Sequence, residues 1–266
     1  MILFDTHAHF NVDTPTKEQM TRAVEAGFVG ILAVGGSSEM NSCAIALAKE
    51  YPEFVAISLG LDRDLALEYA ASTTAIPELK EQILSVGKQV RGVAVGEIGL
   101  DYREDTTAEE KAAQCDLFSK QLSLAAELKL PVSIHCRGAA SDVLSLVAEY
   151  GSKELMSENR LGVIHCFTED LDFATKAYDM GLYFGISGIV TFRNADLLRA
   201  TVSKLPLERL LVETDSPYLA PVPMRGKPCE PAFARYTAAC VAGLHGMSED
   251  AFGELTTNNA RKLLAL

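Results

Sequence analysis

Four histidines and two carboxylates carry the chemistry legible in this chain. His7 and His9 lie in Phe4-Asp5-Thr6-His7-Ala8-His9-Phe10. If that stretch ends a β-strand, alternation sends both imidazoles to one face, a chelating geometry. His135 stands in Val132-Ser133-Ile134-His135-Cys136-Arg137 and His165 in Val163-Ile164-His165-Cys166-Phe167-Thr168. Glu97 follows Val95-Gly96, and Asp215 follows Leu211-Val212-Glu213-Thr214. Alone, a His-x-His pair is a weak signal, and a single histidine at a strand end is more often a hydrogen-bonded structural residue. Glu97 or Asp215 alone could cap a helix or pair with an arginine. Taken jointly, with four of the five histidines at strand ends, the set reads as a metal site. Six protein ligands are too many for one tetrahedral zinc and fit two divalent cations, with Glu97 able to bridge through its two oxygens. Nitrogen and oxygen donors suit zinc, manganese, iron or cobalt, and magnesium with less preference. Cys136 and Cys166 each follow a ligand histidine, so alternation points them away from the centre, against helices. His245 reads as a helix-end residue.

These side chains need a scaffold that brings strand ends together. Apolar β-rich runs fall near 2–8, 28–35, 54–60, 92–98, 131–136, 161–166, 182–187 and 209–214. Amphipathic stretches fall near 15–26, 38–50, 62–88, 107–129, 138–150, 169–180 and 193–204, with three further helical pieces after a Pro-rich loop at 216–231. Thr14-Pro15 reads as an N-cap followed by proline at the first helical position. Gly27 and Gly181 sit where helix C-terminal glycines belong. Near-continuous apolar strands suit a parallel sheet covered by helices. Eight βα units in series predict an α/β fold, a closed (β/α)8 TIM barrel forming a single domain over 1–266, with extra C-terminal helices. The alternative, a doubly wound open sheet, would be favoured by a Gly-x-Gly-x-x-Gly loop after a strand, and none is present. Gly35-Gly36-Ser37-Ser38 comes nearest and reads as a strand-to-helix turn. In a barrel, chemistry collects at the C-terminal ends of the strands.

Composition narrows the partners. A net charge of -12 over 266 residues argues against broad adhesion to nucleic acid, but not against a nucleic-acid substrate held by a local positive site. The six cysteines form no C-x-x-C pair, as expected of reduced thiols in a cytoplasmic protein. No leader pattern opens the chain, no apolar run is long enough to span a bilayer, and no obligate protein partner is evident.

The motifs resemble the TatD family of metal-dependent deoxyribonucleases in the amidohydrolase superfamily, along nearly the whole chain. The resemblance rests on Asp5-Thr6-His7-Ala8-His9, Gly96-Glu97-Ile98-Gly99-Leu100-Asp101-Tyr102, Leu130 to Arg137, His165-Cys166-Phe167-Thr168, and Glu213 to Pro221. It implies metal ligands at His7, His9, Glu97, His135, His165 and Asp215, two divalent cations (zinc, manganese or magnesium), and hydrolysis of DNA phosphodiester bonds, as a 3′-5′ exonuclease acting on single-stranded ends. His7 and His9 are expected on one metal, shared through Glu97 and completed by Asp215, with His135 and His165 on the other. Two cations roughly 3.5–4 Å apart would activate a water for in-line attack on phosphorus, with Asp215 as proton acceptor. Two departures stand out. The family's Gly-x-His-Pro after strand 3 reads Gly60-Leu61-Asp62-Arg63 here, and its Arg-Gly-Lys-Arg-Asn-Glu-Pro reads Arg225 to Pro231 with Pro228-Cys229 inside. Arg137, Arg225 and Lys227 are expected to hold flanking phosphates, and Arg63 to replace the missing histidine as a phosphate contact. Tyr102, Phe167 and Tyr218 lie where a base could stack, or where they simply pack. Two other readings compete. One is an ester hydrolase on RNA, such as a D-aminoacyl-tRNA deacylase. The other is a non-catalytic metal-binding scaffold, against which the intact six-residue shell speaks.

Overall fold

The computed structural model describes residues 1–14 and 16–266, so the proline of the Thr14-Pro15 cap lies outside the described residues. The chain runs β1 (Leu3–Ala8), α1 (Thr16–Glu25), β2 (Phe28–Gly36), α2 (Ser38–Glu50), β3 (Val55–Leu61), α3 (Ala66–Ala70), α4 (Ala75–Val86), β4 (Val93–Asp101), α5 (Ala108–Leu128) and β5 (Val132–Arg137). It continues through α6 (Ala140–Tyr150), α7 (Lys153–Ser157), β6 (Gly162–Ile164), α8 (Leu171–Asp179), β7 (Leu182–Ile186), α9 (Asp196–Val202), β8 (Leu210–Val212), α10 (Ala234–Leu244) and α11 (Glu249–Leu264). All eight strands are parallel and pair in chain order from β1 to β8. The last seam, β8 to β1, is closed by a bridge between Ala8 and Ser216. Asp215 N–H donates to His7 O at 2.9 Å, and His9 N–H to Ser216 O at 2.8 Å. The result is the expected (β/α)8 TIM barrel. No helix among the described residues is long and apolar enough to cross a membrane.

Local signals explain the boundaries. Thr107 and Glu110 form a reciprocal capping box at the start of α5, and Ser37, Asp170 and Ser248 cap α2, α8 and α11. Gly27 and Gly181 take left-handed backbone after α1 and α8, with φ of 90° and 80°. The single helix expected over 62–88 is broken into a 3₁₀ turn (Arg63–Leu65), α3 and α4. Ser72 Oγ accepts from Thr74 and Ala75 N–H at the break, and Pro77 falls in the first turn of α4, where no intrahelical donor is needed. Strands 6 and 8 stop earlier than the apolar runs, because Cys166 and Asp215 turn the chain with φ of 47° and 59°. His165 and Asp215 therefore sit on loops just past their strands.

Two apolar layers form. An outer one packs strands against helices. An inner one fills the barrel with Phe4, Leu32, Ala56, Ala94, Val163, Tyr183 and Leu211, and is closed from below by Ala260, Leu263 and Leu264 of α11. Phe4 belongs to the inner layer and Ala8, four residues on, to the outer, which regular alternation forbids. The register of β1 slips between Asp5 and Ala8. In the same way Ala94 is inner and Ile98 outer, and β4 slips between Val95 and Ile98. These slips turn His7 and Glu97 inward. Buried amides then peg the strand ends. Gln121 of α5 accepts from Leu61 N–H at 2.8 Å and donates to Leu61 O at 2.9 Å, Gln114 makes the same pair with Asp101, and Asn41 of α2 bonds Gly60 and Gly36. Replacing Gln121 with Leu strands two buried backbone groups, so Q121L should lose about 2–4 kcal/mol of stability, read as a lower urea midpoint at unchanged slope. A loss within error of zero would show that the peg is dispensable.

Candidate metal centre

The six side chains singled out by their strand-end positions converge at the C-terminal mouth of the barrel. His9 Nδ1 lies 3.0 Å from Val34 O, a carbonyl that can only accept, so Nδ1 carries a proton and Nε2 is the nitrogen turned inward. His7 Nδ1 meets Ser133 Oγ at 3.2 Å, and its Nε2 lies 3.1 Å from His9 Nε2. The His7 ring stacks on His165 at 3.9 Å between centroids. His135 turns Nδ1 inward, 3.1 Å from His165 Nε2.

Glu97 stands at the centre of these rings. Its Oε2 faces His9 Nε2 at 3.3 Å and His7 Nε2 at 3.5 Å. Its Oε1 faces His135 Nδ1 and His165 Nε2, both at 3.2 Å. Asp215 Oδ1 lies 3.5 Å from His9 Nε2 and 3.9 Å from His7 Nε2. Three sets of donor atoms each fall within 4.8 Å of one another: His7, His9 and Glu97; His7, His165 and Asp215; Glu97, His135 and His165. Ring nitrogens and carboxylate oxygens aimed at one another need protons or cations between them, so the donor set fits divalent metal. Burial opposes charge on His9, but its contacts with Asp215 and Glu97 outweigh that and push its pKa up to about 10. Burial likewise opposes charge on His165, and Glu97 and Glu213 push it up to about 10. Burial works against ionisation of Glu97, yet His165 and Arg63 hold it well below the ordinary carboxylate range.

A second layer of carboxylates, not singled out as functional from sequence, orients the first. Asp101 Oδ2 faces His135 Nε2 at 3.4 Å, and Glu213 Oε1 faces His165 Nδ1 at 3.6 Å while accepting from Cys166 N–H. Gly185 leaves room for Glu213, since a Cβ there would lie 2.0 Å from Oε2. Asp5 accepts from His7 and Thr214 N–H and bonds Thr214 Oγ1 at 2.6 Å, locking the β1 and β8 ends together. Burial pushes the Asp5 carboxyl up to about 8. Each lies in a motif already noted, two residues from one of the six converging side chains or facing one across a strand. Their only sequence signal is a charge placed where a strand should be buried.

The mouth is a cavity of about 640 Å³. Arg63 lines it, donating to Glu97 and Asp62. Arg137 stands at its rim with Nε 2.6 Å from Asp101 Oδ1. Arg225 lies off this cavity, bonded to Ala220 O at 2.9 Å and stacked over Phe192, and exposed Lys227 lines a neighbouring groove shared with His9. Tyr218 is exposed at the mouth, whereas Phe167 is buried and Tyr102 bonds Asp142. Cys136 is buried in the outer layer with its thiol 3.6 Å from Glu169 Oε1, although it also borders the mouth. Cys166 is not packed against a helix as alternation predicts. Its left-handed backbone takes it out of the strand, its thiol meets Ser187 Oγ at 3.2 Å, and it lines the mouth. His245 caps α10 and bonds Val202 O at 3.0 Å, away from the centre.

The model of the TatD related DNase family matches residues 4–265. A Bacillus subtilis protein named uncharacterized metal-dependent hydrolase YabD is 35% identical over 268 residues, covering 100% of both chains. The 3′-5′ ssDNA/RNA exonuclease TatD of Pectobacterium parmentieri is 32% identical over 98% of this chain and 96% of its own. The crystal structure of the TatD homologue YJJV from Escherichia coli superposes with a TM-score of 0.87 at 29% identity, covering 99% of this chain and 98% of that one. Barrel, donor cluster and full-length similarity agree: the chain belongs to the TatD-related DNase family of metal-dependent hydrolases.

Proposed function

We propose that this chain is a single hydrolase domain over residues 1–266 that removes nucleotides from the 3′ ends of single-stranded DNA. The observation that carries the reading is the convergence of His7, His9, Glu97, His135, His165 and Asp215 on one cavity open to solvent. The names of relatives as ssDNA/RNA exonucleases support the substrate class. Six unpaired cysteines support a cytoplasmic location.

His7, His9, Asp215 and Glu97 Oε2 form one half of the centre, and His135, His165 and Glu97 Oε1 the other. Divalent cations such as zinc, manganese or magnesium, when bound there, supply a Lewis acid for phosphate oxygen and a lowered pKa for water. Val34 O and Ser133 Oγ hold the His9 and His7 rings with Nε2 inward, while Asp101 and Glu213 orient His135 and His165. Asp215 is the least buried carboxylate among the ligands, at 15% side-chain exposure against 4% for Glu97. Burial opposes its ionisation, but His9 and the other rings hold its pKa below the ordinary value. It is therefore ionised at neutral pH and placed to accept the proton of the attacking water and return it to the leaving oxygen. Arg137 at the rim of the mouth and Lys227 in the neighbouring groove are candidates for holding flanking phosphates, and Arg225 supports the loop that carries Lys227.

D215N should lower nucleotide release from a 3′-labelled oligonucleotide by about a thousandfold or more with unchanged circular dichroism. Activity within tenfold of wild type would remove Asp215 from its role. Metal uptake must displace the protons held by His9 and His165, so affinity should fall as pH drops below about 10. Calorimetry between pH 6 and 8, in buffers of different ionisation enthalpy, should register proton release and tighter binding at the higher pH. A flat pH dependence would contradict it.

A further inference from the structure

Arg63 places a permanent positive charge inside the centre. It opens the 3₁₀ turn after β3, and its side chain is 12% exposed. One terminal nitrogen donates to Glu97 Oε1 and to Asp62 Oδ2, the latter at 3.0 Å, and Nε lies 3.9 Å from Asp101 Oδ2. Glu97 Oε1 is the oxygen that faces His135 and His165, and Oε2, which faces His7 and His9, takes no hydrogen bond from Arg63. The guanidinium thus sits on one half of the centre only.

We propose that Arg63 makes the two halves unequal: the His7–His9–Asp215 half takes a divalent cation tightly, and the His135–His165 half takes one only when Arg63 leaves Glu97. The inference rests on the ligand reading above and deepens it. Three features of the site carry it. Around His7 and His9 stand two carboxylate oxygens, from Glu97 Oε2 and Asp215, while around His135 stand only His165, itself within reach of His7 and Asp215, and one oxygen already engaged by Arg63. A guanidinium keeps its charge at any working pH, so its repulsion of a nearby cation cannot be relieved by deprotonation. A place to go also exists. Arg63 stands between the mouth and a smaller cavity of about 150 Å³ where Asp64, Asp101, Asp105 and Glu110 outnumber one cation, Arg103, which pairs with Asp64 and Asp101; Asp105 and Glu110 leave it room for the displaced side chain. A substrate phosphate offers the same guanidinium a bidentate partner, so substrate and second cation would be admitted together.

Titration of metal-stripped protein with Mn²⁺ at fixed pH, followed by calorimetry and by metal content after gel filtration, tests this. Wild type should retain one cation per chain through the column and show a second, weaker event. R63M and R63Q should each tighten the second event by about tenfold or more, with the first changed less than about threefold. The unchanged first event doubles as the control that the variant is folded. R63K, which keeps the charge, should keep the inequality. Two equal events in wild type, an unmoved second event in both R63M and R63Q, or R63K behaving as R63M would each overturn the inference. No Mn²⁺ binding to wild type at either half would overturn the ligand reading itself.

Discussion

A buried carboxylate must be neutralised where it stands, and in this protein that carboxylate is Glu97. It is 3% exposed in the middle of β4, too deep for water to compensate its charge. The chain answers with four imidazoles and one guanidinium drawn from β1, β5, the β6 loop and the turn after β3. Everything else at the mouth follows from bringing these groups within reach. The register slips in β1 and β4 rotate the strands, and the amide pegs from α2 and α5 hold the strand ends at the required height.

Charge around Glu97 is layered. Inside lie the imidazoles and Arg63. Behind them stand Asp101, Glu213 and Asp5, each held by backbone N–H groups or arginines rather than by solvent. Asp101 and Glu213 hold the His135 and His165 rings in place, and Glu213 raises the basicity of His165, which sharpens the competition between protons and metal for its lone pair. The arrangement also places Arg63, Arg103 and Arg137 around one opening, so a chain with net charge -12 still gathers cationic side chains at the barrel mouth.

Much of this was legible before any coordinates, because strand ends in an α/β barrel are a small and ordered set. Once eight apolar runs were counted, His7, His9, Glu97, His135, His165 and Asp215 fell at matching places. What stayed hidden depended on pairing between distant segments. The slips that turn His7 and Glu97 inward are properties of β1 against β2 and β4 against β5, not of either strand alone. Gln114 and Gln121 look like ordinary polar positions on a long helix until their strand partners are known. Cys166 misled because the alternation argument assumes a strand, and its backbone has already left one. From its place in the motif Arg63 reads as a phosphate contact. Its contact with Glu97 could be seen only once β3 and β4 lay side by side.

The seam between β8 and β1 has a consequence for how the protein comes into being. Asp215 is held to His7 across that seam, and α11 closes the barrel floor with Ala260, Leu263 and Leu264. His7 and His9 meet Val34 and Glu97 from nearer segments, but the seam and the floor beneath them come from residues some two hundred positions later. Contacts of such long sequence separation form late and slowly. During synthesis five of the six donor side chains emerge before the last strand, and the seam and floor that fix the first two in place come with β8 and α11.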